Sequence, residues 1–220
     1  MSHVSHRIAG GRLVAIGPQR LEGLLTIPEG AMGLIIFAHG SGSSRLSPRN
    51  NYVAEHLQHR GMATLLFDLL TDEEARDRRN VFDVPLLASR LEEAVAWART
   101  DSEVAALKIG LFGASTGSAA ALAAAAKVPK QVDAIVSRGG RPDLAEALLH
   151  KVSAPTLLIV GGNDSVVLDL NRDALAKLSC EKRLLIVPGA THLFEEPGTL
   201  DQVVQAASDW FALHLETPKQ

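Results

Sequence analysis

Short runs of consecutive apolar residues alternate along the chain with longer stretches in which apolar positions recur every three or four residues. The runs are Leu34-Ile35-Ile36-Phe37-Ala38, Ala63-Thr64-Leu65-Leu66-Phe67, residues 109–112, Ala134-Ile135-Val136, Thr156-Leu157-Leu158-Ile159-Val160 and Arg183-Leu184-Leu185-Ile186-Val187. All are read as strands, and the first is continuous rather than alternating, which predicts a buried strand, as in parallel sheets. Residues 51–59, 84–99, 118–127, 143–150, 170–178 and 199–214 are read as helices between and after them. In the second of these, Leu87, Leu91, Ala94, Val95 and Ala98 make one stripe; in the last, Val203, Ala207, Trp210 and Phe211 do. Two runs ahead of this series, 12–16 and 21–27, flank Gly17-Pro18 and predict an opening antiparallel pair. The repeated strand–helix alternation predicts an α/β fold, a mostly parallel sheet with helices on both faces, in one domain spanning residues 1–220.

One segment breaks the alternation. Residues 71–80, Thr-Asp-Glu-Glu-Ala-Arg-Asp-Arg-Arg-Asn, mix charges and carry no apolar stripe. They predict a solvated loop. A flap over the active site is the alternative, because the segment follows the C-terminal edge of a strand.

Composition narrows the function. Of 220 residues, 46% are hydrophobic, enough for one sizeable core, and 21% are charged, which argues against disorder. The formal net charge is −3, with Lys and Arg spread along the chain, which argues against nucleic acid as the main partner. A single cysteine, Cys180, excludes an intramolecular disulfide and a Cys-rich metal site, and is read as an inert thiol. No apolar run approaches the ~20 residues that span a bilayer, and residues 1–7 have no long apolar stretch behind them. A cytoplasmic protein without membrane contact, monomeric or a small homo-oligomer, is the expectation.

The chemistry is concentrated in Gly113-Ala114-Ser115-Thr116-Gly117, which joins an apolar run to an alanine-rich helix. A G-x-S-x-G turn between strand and helix describes a nucleophile elbow. A serine hydroxyl needs an adjacent base, and the base needs an acid that fixes its tautomer. Elbow enzymes supply them in the chain order Ser, Asp or Glu, His. Asp164 follows the strand ending at Val160, and His192 follows the last strand. Both sit where open α/β sheets place their ligands. Asp169 is a lesser competitor for the acid, and Glu195 and Glu196 are read as capping or solvated residues. His3 and His6 fall in a terminus, while His56, His59, His150 and His214 are read as surface or packing residues. His39, in Ala38-His39-Gly40-Ser41-Gly42, is expected to brace the following loop through a ring hydrogen bond. That loop predicts an oxyanion hole made by the backbone N–H groups of Ser41 and Thr116. Arg45 and Arg138 are read first as charges that pair with a neighbouring loop, and second as candidate contacts for a substrate carboxylate.

These four stretches, His39-Gly40-Ser41-Gly42, Gly113-Ala114-Ser115-Thr116-Gly117, Gly162-Asn163-Asp164 and Gly189-Ala190-Thr191-His192, resemble the α/β-hydrolase superfamily over nearly the full chain. Within it the chain is similar to the small dienelactone-hydrolase-like proteins without a separate cap domain. The resemblance implies an eight-stranded, mostly parallel sheet, a Ser115–His192–Asp164 triad and an oxyanion hole from Ser41 and Thr116. There is one departure: dienelactone hydrolases proper use cysteine as nucleophile, and Ser115 stands here. The expected activity is hydrolysis of a small ester, lactone or thioester through an acyl-enzyme on Ser115, with no metal or organic cofactor. The alternatives are an acyltransferase or perhydrolase with the same triad, and a non-catalytic module in which the loop after His39 cradles a phosphate.

Overall fold

The apolar runs assemble into one eight-stranded sheet in the order β1-β2-β4-β3-β5-β6-β7-β8, seen in a computed structural model that describes residues 11–216. The strands are β1 (Arg12–Ile16), β2 (Leu21–Thr26), β3 (Gly33–Ala38), β4 (Met62–Phe67), β5 (Ile109–Ala114), β6 (Ala134–Arg138), β7 (Thr156–Gly161) and β8 (Lys182–Val187). β1 pairs antiparallel with β2 and β2 with β4; every pairing from β4 through β3 to β8 is parallel. Gly17 turns the opening hairpin with φ of 67°, a left-handed conformation that suits glycine.

The central strands are buried along their whole length, as a parallel sheet with helices on both faces requires. Alternate residues serve opposite layers. Ile35 and Phe37 of β3 join Val53 and Leu57 of α1 (Pro48–His59) and Val203, Trp210 and Phe211 of α7 (Thr199–Leu215). Leu34, Ile36 and Ala38 face the other way, into a cluster with Leu87, Leu91 and Val95 of α4 (Val84–Thr100) and the alanines of α5 (Thr116–Lys127). The chain between β6 and β7 is a kinked 3-10 segment, Pro142–Lys151, and no separate cap interrupts it. α6 (Ser165–Lys177) follows β7. Among the described residues no helix is long and apolar enough to cross a membrane.

The structure corrects several expected elements. α1 begins at Pro48 rather than residue 51, because Ser47 caps it by accepting the Asn50 N–H and Pro48 fits the first helical position. α6 begins five residues before the expected 170, directly after Asp164. The segment 71–80 is solvated, with no buried residue in it, but forms two short helices rather than a loop, α2 (Asp72–Arg76) and α3 (Arg78–Val81). Thr71 and Glu74 close a capping box on α2, and Glu74 also pairs with the buried Arg90 of α4, 2.7 Å away. That pairing takes one of the segment's charges into the fold, while Asp77 and Arg79 pair with each other on the surface.

Candidate active site

The elbow is strained as its sequence requires. Ser115 has φ of 52° and ψ of −122°, a region that a side chain rarely enters and that costs about 1–3 kcal/mol. Three backbone bonds hold it there. The Ser115 N–H donates to the Arg138 carbonyl at 3.1 Å, and the Ser115 carbonyl accepts from Ser118 N–H at 3.1 Å and from Arg141 N–H at 3.2 Å. The flanking glycines are steric necessities. A Cβ on Gly117 would run into the Ala38 and His39 carbonyl oxygens, and one on Gly113 into the Ser118 backbone. Ser115 is half-buried at the C-terminal edge of the sheet.

The acid and the base meet. Asp164 is the N-cap residue of α6, but its carboxylate caps no helix N–H. It turns instead to His192, whose Nδ1 lies 2.7 Å from Asp164 Oδ2. Their loops are joined backbone to backbone: Gly162 N–H donates to Val187 O at 2.8 Å and Asn163 N–H to Ala190 O at 2.9 Å. The Asn163 side chain adds a bond to the Gly189 carbonyl at 2.9 Å. Glu196 fixes the histidine loop from the other side, accepting the Thr191 hydroxyl at 2.6 Å and the Thr191 N–H at 3.1 Å. The Thr191 hydroxyl bond is the first cause of the lowered Glu196 pKa.

An imidazole that donates Nδ1–H to a carboxylate keeps Nε2 as a free base. The ring rests on Gly139, whose Cβ position is 3.5 Å from His192 Nδ1 and Cε1. Gly139 adjoins Arg138, the residue whose carbonyl holds the Ser115 N–H. Among the described residues no hydrogen bond joins Ser115 Oγ to the ring, so the structure closes the Asp164–His192 leg and leaves the Ser115 leg open.

The loop after β3 passes directly beside the serine. A Cβ on Gly40 would lie 3.1 Å from Ser115 Cβ and 3.8 Å from its Oγ. His39 pins this loop with both ring nitrogens. The Leu69 N–H donates to Nε2 at 3.1 Å, so the proton sits on Nδ1, which donates to the Gly40 carbonyl at 3.0 Å. Burial, as the leading cause, lowers the His39 pKa and keeps the ring neutral. Ser41 and Thr116 both line a cavity of about 300 Å³ whose apolar wall includes Leu69, Ala75, Val81 and Leu87. Ala75 and Val81 come from α2 and α3, so the charged segment walls the cavity.

The remaining candidates separate clearly. Arg45 is ion-paired with Asp68 and Glu22 and spends its charge on them. Arg138 is buried and faces no carboxylate among the described residues; Asn50 Oδ1, 3.4 Å from Nη2, is its acceptor. Asp169 pairs with Arg172 and does not reach His192. Glu195 pairs with Arg49. Cys180 is half-buried, its thiol 3.7 Å from Thr156 Oγ1. His56 Nδ1 is bonded to the Tyr52 carbonyl oxygen. His3 and His6 lie outside the described residues. Sequence reasoning passed over Asp68, which anchors Arg45, and Asn50, which meets Arg138. Ser47-Pro48-Arg49-Asn50 carried the signal for the second, since Ser followed by Pro marks the start of a helix at the sheet edge.

The model of the dienelactone hydrolase family matches residues 21–220. A solved dienelactone hydrolase from Anabaena variabilis is 57% identical to this chain, with a TM-score of 0.91 over 94% of this chain and 97% of that one. Est1E from Butyrivibrio proteoclasticus has the same fold, with a TM-score of 0.79 at 17% identity over 93% of this chain and 98% of its own. A Mycobacterium tuberculosis protein named "Putative phosphoribosyl transferase" is 60% identical over 205 residues, 93% of this chain and 46% of that protein. The chain thus spans about half the length of the curated relatives it matches.

Proposed function

The chain belongs to the dienelactone hydrolase family, and from that premise we propose that it is a serine hydrolase of small esters, lactones or thioesters. The observation that carries the reading is the Asp164–His192 pair at 2.7 Å, beside a serine held in a strained elbow.

In this mechanism Ser115 Oγ attacks the acyl carbon and His192 Nε2 takes the hydroxyl proton. The Ser115 hydroxyl must first turn toward the ring, a contact that in free enzymes commonly tightens only when substrate arrives. Asp164 holds the ring in its Nδ1–H tautomer and offsets the positive charge it acquires. The negative charge that develops on the carbonyl oxygen is met by the N–H groups of Ser41 and Thr116, neither of which donates to a protein acceptor among the described residues. Thr116 opens α5, so its N–H also carries the positive end of the helix dipole. Losing one such donor costs about 3 kcal/mol of transition-state stabilisation. His192 then returns its proton to the leaving alkoxide or thiolate. A water activated by the same ring releases the acid and restores Ser115.

The cavity beside Ser41 and Thr116 takes the apolar part of the substrate. Its volume of about 300 Å³ suits a short or aromatic group better than a long lipid chain. The transferase name of the mycobacterial relatives belongs to proteins about twice this length, and the Ser115 site serves acyl chemistry instead. Turnover of p-nitrophenyl acetate tests the reading. Ser115→Ala should abolish it while the folded far-ultraviolet signal is kept; a variant as active as the parent would refute the mechanism.

A further inference from the structure

α6 presents Asp164 at its N-cap and carries, further along, a polar side chain that the reaction does not use. Asn171 is fully buried. Its amide nitrogen donates to the Val167 carbonyl, one turn back in the same helix, at 2.8 Å. It also donates to the Gly140 carbonyl, in the chain after β6, at 3.0 Å. Two carbonyl oxygens as neighbours fix which end of the amide is the nitrogen. The other end, Oδ1, is sealed from solvent and has no partner. Keeping a buried acceptor unpaired is costly, so stability alone is a poor reason for an amide at this position.

What the amide holds is the segment between nucleophile and base. The Arg138 carbonyl accepts the Ser115 N–H at 3.1 Å, and the Arg141 N–H donates to the Ser115 carbonyl at 3.2 Å, so the two ends of residues 138–141 bracket the serine. Between them, the Gly139 N–H donates to the Ile159 carbonyl at 2.8 Å. Gly139, with φ of 51°, is the seat of the base: its Cβ position lies 3.1 Å from the His192 carbonyl oxygen and 3.5 Å from the ring. Gly140 is pressed against the Ser118 and Ser137 hydroxyls, which are bonded to each other and leave no room for a Cβ. Successive glycines have more conformational freedom than any other pair. The Asn171 bond removes that freedom from the peptide joining the histidine's seat to the serine's bracket, and ties it to the helix that presents Asp164.

We propose that Asn171 is a positioning residue for proton transfer from Ser115 to His192: by holding Gly140 to α6, it sets how near the seat of the ring lies to the nucleophile. Asn171 touches neither substrate nor the reacting atoms. The inference rests on the serine-hydrolase reading above and adds to it the element that aligns its open leg. The Asp164–His192 contact has backbone bonds of its own, from Gly162 and Asn163, and does not depend on Asn171.

Two variants test it. Asn171→Leu removes both bonds and the unpaired oxygen. Asn171→Ser removes only the bond to Gly140, because its hydroxyl can donate back to the Val167 carbonyl but is one atom shorter than the amide. In each variant, shown to be folded under the assay conditions, kcat for p-nitrophenyl acetate should fall by about tenfold to a hundredfold, with KM within about threefold of the parent. The rate of Ser115 labelling by a fluorophosphonate should fall by a similar factor, since labelling needs the same base. A purely structural role would lower Tm and leave both rates unchanged; that result, or a loss confined to KM, overturns the proposal. If Asn171→Leu does not fold, Asn171→Ser decides. Gly139→Ala sets a methyl against the His192 carbonyl at the other end of the same segment. Combined with Asn171→Ser, it should lose less than the product of the two single losses; losses that multiply would mean independent action and would also overturn the proposal. If the parent protein turns over no ester and the fluorophosphonate leaves Ser115 unlabelled, the hydrolase reading fails and the inference falls with it. A parent that is labelled, with variants labelled as fast, overturns the inference alone.

Discussion

Asp164 Oδ2 stands 2.7 Å from His192 Nδ1 although the two are 28 positions apart in the chain. The two residues leave neighbouring parallel strands, β7 and β8, at the same edge, and backbone bonds lock their loops together. The carboxylate forgoes the helix cap that an aspartate at this position ordinarily makes. That preference is the structural reason to assign it to the histidine rather than to α6.

Asp164→Asn preserves the shape of this contact and removes its charge. The amide can present an N–H to the ring and favour the wrong tautomer. Ester hydrolysis should fall by about a thousandfold or more in kcat/KM, with little change in folding. Steady-state kinetics on p-nitrophenyl acetate checks this, and a loss below tenfold would show that another group holds His192.

His39 should make stability depend on pH. Its folded-state pKa lies below the ordinary 6.5, because burial disfavours the charged ring. The unfolded chain therefore takes up a proton near pH 6.5 that the folded chain resists. The His39 contribution is fully present above pH 6.5 and is lost as the pH falls below it, toward the folded pKa. Protonation would also put a proton on Nε2, where the Leu69 N–H now donates. Tm measured from pH 7.5 to 5.0 should decline, and His39→Gln should flatten that decline. An unchanged slope would refute the assignment.

The sheet and the three catalytic candidates were legible because each depends on local signals. Continuous apolar runs mark buried strands, and Gly113, Ser115 and Gly117 mark a turn that few other residues can make. What was hidden depends on pairing across the fold. Glu74 and Arg90 are 16 positions apart, and their pairing ties α2 to α4 where the segment walls the cavity; the Thr71–Glu74 capping box beside it is a local signal that was passed over. Arg45 and Arg138 look alike in sequence. One meets Asp68 and Glu22, the other meets Asn50, and strand order alone decides which.

Gly117 tests the close packing of the elbow. A methyl group there has no room against the Ala38 and His39 carbonyls, so Gly117→Ala should cost about 2 kcal/mol or more. Gly30, with φ of 68° and open space around its Cβ position, is the control; Gly30→Ala should cost only the backbone strain, about 1 kcal/mol. Urea denaturation midpoints should rank the two in that order.

Glu74→Gln should loosen the cavity wall. It removes the charge from the Thr71 capping box and takes one of two carboxylates from the buried Arg90. The expected loss is about 1–3 kcal/mol. Hydrogen exchange should quicken over residues 71–82 before it does in β5 or β6. Uniform quickening across the chain would mean that the two helices are not a separate unit.

The most direct test of the account is the covalent one. A fluorophosphonate that reacts with activated serines should add once to the protein, and peptide mapping by mass spectrometry should place the adduct on Ser115. Ser115→Ala should not be labelled. An adduct on another residue, or ester hydrolysis with Ser115 left unmodified, would contradict the account.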